Sequence, residues 1–148
     1  MSGELVMPLF NKPELKRAAG QADLLHKSLS DAIRATKSLA LDTRFDIFLS
    51  HCYLDKEYIL GLKNLLEKMK YTVYVDWDAD SDLNRMHVTK GTADLLKHRM
   101  RHCRCLFYAI SGYSAESKWM PWELGFCDGL HGKVAIVPVG AAPSTSED

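Results

Sequence analysis

A tryptophan and a glutamate four residues apart, Trp119 and Glu123, lie in the segment SKWMPWELGF at 117–126. Pro121 fits the first turn of a helix, where its missing N–H costs nothing. In a helix that begins by Trp119, the indole and the carboxylate share a face. Such a pair suits a cationic aromatic ligand: the carboxylate supplies charge and the ring a stacking surface. The helix dipole favours the ionised carboxylate in or near the first turn. Trp122, Phe126 and Leu130 follow at helical spacing, as the side packed on a core. A capped amphipathic helix whose glutamate only complements the dipole shows the same pattern, and on local pattern alone is the commoner arrangement.

Other groupings offer less. The acids of DWDADSD at 76–82 alternate as in a calcium loop. Ser81 stands where the turn glycine belongs and His87 where the closing glutamate belongs, so a solvated acidic loop is expected. His98 and His102 are four apart and Cys103 and Cys105 follow, types that zinc uses. The cysteines alternate on a strand and share one face, whereas the histidines belong to the helix before it. A core-facing thiol pair beside a polar helix surface is the expectation, and no metal site is assigned. Lys97, Arg99, Arg101 and Arg104 form a basic cluster, either solvated or meeting a phosphate or an acidic neighbour. No GxGxxG or GxxxxGK[ST] segment is present, so neither phosphate cradle is supported.

The elements that must position these residues alternate in type. An amphipathic helical arm runs from Pro13 to about Leu41, with Gly20 as a break near its start. It either packs on the domain or pairs with another subunit. Residues 1–11 are expected to be loose. FDIFLS at 45–50 reads as a buried strand, 54–70 as an amphipathic helix and TVYVD at 72–76 as a second strand, together a βαβ unit. After a polar connection at 77–90 come a helix at 91–101, a strand at 104–110, the Trp119 helix, a capping glycine at Gly132 and a strand at 133–139. Pro138 implies that this last strand ends there or lies at an edge. The expected fold is an α/β open parallel sheet of four strands, with room for a fifth, and helices on both faces. The expected division is an N-terminal helical extension at 1–43, a domain at 44–140 and a disordered tail at 141–148. Ligands of such sheets bind at the carboxyl ends of the strands. That rim gathers Ser50, His51, Asp76, Trp77, Ser111 and the helix start carrying Trp119 and Glu123.

The totals narrow the class. The 148 residues suit one domain with an extension, and 19 basic residues balance 19 acidic ones. That balance favours neither nucleic acid nor an anionic membrane as partner. No apolar run is long enough for a membrane helix, and Glu4 and Pro8 interrupt any secretory pattern. A soluble, cytoplasmic protein is expected. Cys52, Cys103, Cys105 and Cys127 fall in core elements and read as reduced thiols.

As a set, these segments resemble a TIR (Toll/interleukin-1 receptor) domain, most closely the bacterial members of anti-phage defence systems of the Thoeris type. The resemblance rests on FDIFLSH at 45–51, Asp55 and Lys56, VYVDW at 73–77, CLFYAIS at 105–111, SKWMPWELG at 117–125 and IVPV at 136–139. It covers about 44–139, in order. It implies a flavodoxin-like sheet and, in many bacterial members, cleavage of NAD+ at the nicotinamide–ribose bond. NAD+ is then the substrate, and no separate cofactor is implied. The family's catalytic glutamate falls on Glu123, and the tryptophan lining the nicotinamide side falls on Trp119. Ser50, His51, Asp76 and Trp77 fall where the family's cleft and its BB loop begin. The resemblance implies an NAD+ nucleosidase or ADP-ribosyl cyclase, self-association through TIR–TIR contacts, and a partner effector that answers a nucleotide messenger. The product is open: ADP-ribose, a cyclic isomer or a conjugate. A non-catalytic adaptor that binds other TIR domains is the alternative. Two features depart from the family pattern: the acids of the 77–90 loop, and a fifth strand and final helix that the sequence does not show.

Overall fold

In a computed structural model, residues 10–24, 29–77 and 90–140 are described. The strands are β1 (Phe10–Asn11), β2 (Phe45–Ser50), β3 (Val73–Tyr74), β4 (Cys103–Ile110) and β5 (Val134–Gly140). The helices are α1 (Lys12–Leu24), α2 (Leu29–Lys37), α3 (Lys56–Lys68), α4 (Lys90–Arg101) and α5 (Trp119–Leu130). Short 3₁₀ turns at Tyr53–Asp55 and Ser114–Glu116 precede α3 and α5. The acidic loop's Asp78, Asp80 and Asp82, and the 141–148 tail, lie outside the described residues. Among the described residues no helix is long and apolar enough to cross a membrane.

All pairings are parallel, in the order β1-β5-β4-β2-β3. Four strands carry the expected open α/β sheet, and the fifth position is filled from the other end of the chain. Phe10 pairs with Val139 and Asn11 with Gly140. The expectation that residues 1–11 are loose is therefore corrected for the last two. Backbone donors and acceptors on the free side of β5 need partners, and this short segment supplies them. Pro138 does not end β5: it sits opposite Ile110, and the strand continues to Gly140. β3 is shorter than the strand expected at 72–76, because an edge strand is hydrogen-bonded on one side only.

The pleat of β2 divides the core. Ile47 and Leu49 point to one face, against α1 and α3, with Ile59, Leu62 and Leu15. Phe48 points to the other, against α4 and α5, with Leu96, Met100 and Leu106. Gly61 lets α1 lie directly on α3: a Cβ there would stand 1.9 Å from the Leu15 carbonyl oxygen. Of the two roles considered for the N-terminal arm, α1 fills the first, packing on the domain. The arm is two helices, with 25–28 between them outside the described residues. Arg99 of α4 fixes the link that follows α2. Its guanidinium donates to the Ala40 and Leu39 carbonyls at 2.8 and 3.3 Å and lies over the Tyr74 ring.

Candidate active site

Helix α5 begins at Trp119, where the Trp119–Glu123 spacing requires it to begin. The Ser117 hydroxyl accepts the Met120 N–H at 3.0 Å, so a serine caps the first turn. Pro121 sits in that turn, and Gly132 ends the helix at φ +68°. The buried side is not the one that the aromatic spacing suggested. Trp119, Met120, Glu123 and Cys127 are buried, whereas Trp122 and Phe126 pack at the margin and Leu130 is exposed. The cap and the crossing over β4 rotate the helix so that the carboxylate faces the sheet.

The sheet answers it with a hydroxyl. Ser50 ends β2 on the Phe48 side of the pleat, the side that α5 covers. Its Oγ donates to Glu123 Oε1 at 2.6 Å. Both residues are buried, at 1% and 2% exposure. A carboxylate in such a place needs donors to offset lost hydration. Its field reaches neighbouring groups. The Cys127 thiol is pushed up to about 12, mainly by burial and then by the Glu123 charge. The Tyr108 phenol is raised for the same two reasons.

A second pair joins the carboxyl ends of β2 and β4 across the point where strand order reverses, the usual ligand crevice of such sheets. The Ser111 hydroxyl donates to Asp55 Oδ2. Asp55 is buried, and its Oδ1 has no partner. The sequence reading placed Asp55 at a helix start and missed its part in this rim. An aspartate there is ordinarily a solvated dipole complement, and residue type alone gives no other signal.

His51, the residue after Ser50, is buried, with its ring edge-on to Trp77 at 5.7 Å between centroids. Burial pushes its pKa down to about 4, against a hydrogen bond with the Leu49 backbone that raises it. The imidazole is therefore neutral near pH 7. Its Nε2 and the Trp77 Nε1 are buried without partners. These two enclosed nitrogens, on adjoining rings, leave hydrogen-bonding capacity unused, which a polar ligand or water can fill.

The predicted rim residues thus fall into groups. Ser50 meets Glu123, Ser111 meets Asp55, and His51 meets Trp77. Asp76 and Trp77 line a cavity of about 270 Å³ with Tyr74, Arg99 and Leu39. Glu123 lines neither this cavity nor a second one at the opposite end of the sheet. The carboxylate is covered, with Trp119, 7% exposed, one turn before it.

The remaining clusters are structural. His98 Nε2 lies 2.7 Å from the Leu41 carbonyl and His102 Nδ1 2.8 Å from that of His98, so both imidazoles hold backbone. Among the described residues no group of three or more metal-ligating side chains forms. All four cysteines are thiols. Cys103 and Cys105 do not share a face: Cys103 packs with α4 and α5, Cys105 with the opposite cluster. Cys103 is the strand's first residue, where the exit from α4 still governs its direction. The basic cluster disperses: Arg99 is buried, Arg101 lies over the Phe126 ring, and Arg104 reaches Asp46.

Two curated bacterial proteins are similar to the chain. One, from Bacillus cereus (strain MSX-D12), is named "Probable 3' cyclic ADP-D-ribose synthase ThsB'"; it is 53% identical over 106 residues, which are 72% of this chain and 55% of that protein. Another, from Cytobacillus dafuensis, bears the provisional name of cyclic ADP-D-ribose synthase TIR2; it is 32% identical over 83 residues, 55% of this chain and 22% of that protein. The chain spans about half the length of the first and about a fifth of the second. No family model matches it. The resemblance carried by the motifs is borne out at this level: the chain is a homologue of bacterial proteins named as cyclic ADP-ribose synthases, one of which bears TIR in its name.

Proposed function

We propose that the protein cleaves NAD+ at the nicotinamide–ribose bond, with Glu123 as the catalytic carboxylate, and closes the product into a cyclic ADP-ribose. The observation that carries this is the Glu123 carboxylate, held by Ser50 under the carboxyl ends of β2 and β4. Departure of nicotinamide takes the bonding electron pair and leaves an oxocarbenium-like ribosyl carbon, as in glycoside cleavage. A fixed anion stabilises that charge without reorganising. Trp119, one turn earlier, supplies a face for the departing ring. A hydroxyl of the same molecule then attacks the ribosyl carbon and gives up its proton, so nicotinamide and a cyclic nucleotide are formed together. The relatives' names favour this closure over hydrolysis to ADP-ribose or transfer to an added nucleophile.

Because Glu123 and Trp119 are covered, the substrate must displace what covers them. Self-association through TIR–TIR contacts would supply that opening and make activity rise steeply with protein concentration. The cyclic product would act in the cytoplasm as an anti-phage messenger to an effector protein. Ser50, His51, Asp76, Trp77 and Ser111 serve as the substrate-binding rim in this reading.

The test is incubation of purified protein with NAD+, following nicotinamide by chromatography and the nucleotide product by mass. A cyclic product is lighter than ADP-ribose by one water. Glu123→Gln keeps the shape and removes the charge, and should abolish release. No nicotinamide at high protein concentration under crowding would leave the adaptor reading in its place.

A further inference from the structure

At the amino-terminal end of the sheet, opposite the site above, lies a cavity of about 540 Å³. Arg44, Arg104, Lys133, His102 and His131 line it, together with Asp46 and Thr72. These residues come from the start of β2, the approach to β3, the α4–β4 junction and the α5–β5 turn. Parallel strands bring all those segments to one end. The chain as a whole is formally neutral, yet here three permanent cations face one carboxylate.

That carboxylate is already engaged. Asp46 Oδ2 accepts the Thr72 N–H at 2.9 Å and its hydroxyl at 3.1 Å. These bonds, the backbone one first, hold the Asp46 carboxyl below its ordinary range. Oδ1 stands 3.7 Å from Arg104, whose side chain is exposed. Arg44 and Lys133 are exposed and have no carboxylate within ion-pair distance among the described residues. His131 Nδ1 accepts the Lys133 N–H at 2.9 Å, which ties the imidazole to the turn that carries Lys133.

Unpaired like charges around a concavity repel one another, and an anion that enters relieves the repulsion. Guanidinium groups present paired donors that match phosphate oxygens. The volume falls in the range of small-molecule sites. We propose that this cavity is a binding site for the diphosphate group of a small phosphorylated molecule, with Arg44, Arg104 and Lys133 as its ligands. The site stands apart from Glu123 and does not depend on the reaction proposed above.

Calorimetric titration with sodium pyrophosphate at low ionic strength tests it, with sodium sulfate as the control anion. Pyrophosphate should bind at one site per chain, more tightly than sulfate, and weaken as salt rises. The Arg44→Ala/Arg104→Ala/Lys133→Ala variant should bind about tenfold more weakly or worse. Those side chains are exposed, so its thermal melt should match the parent. Should the triple variant not fold, Lys133→Gln with amide-shift mapping takes its place: pyrophosphate should move the Thr72, His131 and Lys133 amides in the parent, and less so in the variant. Glu123→Gln should leave the affinity unchanged. Titration with ADP separates the two sources of the group: equal affinity indicates the bare diphosphate, tighter binding a nucleotide, and either supports the site. Equal affinity for sulfate, shifts centred on Ser50 and Glu123, or an unaffected triple variant overturns it.

Discussion

Ser50 and Glu123, from β2 and α5, meet in a 2.6 Å hydrogen bond. The hydroxyl occupies Oε1 and fixes the plane of the carboxylate. Ser50→Ala should leave that oxygen buried without this donor, at a cost of about 1–3 kcal/mol in urea unfolding. If Glu123 is the catalytic carboxylate, nicotinamide release should also fall by about ten- to a hundredfold, mostly in kcat, because a misplaced charge stabilises the transition state poorly.

Asp55 and Ser111 tie the segment after β2 to the segment after β4. Asp55→Ala should free the Ser111 hydroxyl and loosen the turn that leads to Ser117, the cap of α5. Hydrogen exchange at 111–117 should speed up, while amides in the middle of β4 keep their protection.

His51 makes stability depend on pH. Its folded pKa of about 4 lies below the ordinary value of 6.5, so the unfolded chain binds the proton first. The neutral ring's contribution is present in full above about pH 6.5 and is lost as pH falls toward 4, up to about 3 kcal/mol. Urea unfolding at pH 7 and pH 4.5 should show this loss in the parent. His51→Phe, which cannot titrate, should show less of it.

Gly61 is where α1 comes closest to α3. Gly61→Ala should push the Leu15 backbone away and cost about 1–3 kcal/mol, as overpacking does. Limited proteolysis should then cut within α1 sooner. Gly112→Ala, with nothing near its Cβ position, is the matched control and should leave the pattern unchanged.

The buried strand FDIFLS, the helical spacing of 54–70 and the capping glycine at 132 were legible because each rests on local composition or spacing. The rim at the strand ends followed from the parallel topology, and the fold brings Ser50 to Glu123 there. The pairing of Phe10 with Val139 was not legible, because residues at opposite ends of a sequence carry no local sign of each other. The rotation of α5 escaped for a related reason. Trp122, Phe126 and Leu130 form a good apolar stripe, but the Ser117 cap and the sheet beneath select the side bearing Glu123. Asp55 was read as a helix start because its partner, Ser111, comes from another strand.

The parallel pairing of β1 with β5 also sets an order of events. Phe10 and Asn11 leave the ribosome before every other described strand, and their partners Val139 and Gly140 after all of them. The outer seam of the sheet therefore cannot close until β5 has emerged, after every other described strand. Loop closure over so long a separation is slow relative to local helix formation. Until then the nascent β5 presents bare amides and carbonyls to any neighbouring chain, and crowding on a polysome is when this protein is most exposed to mispairing.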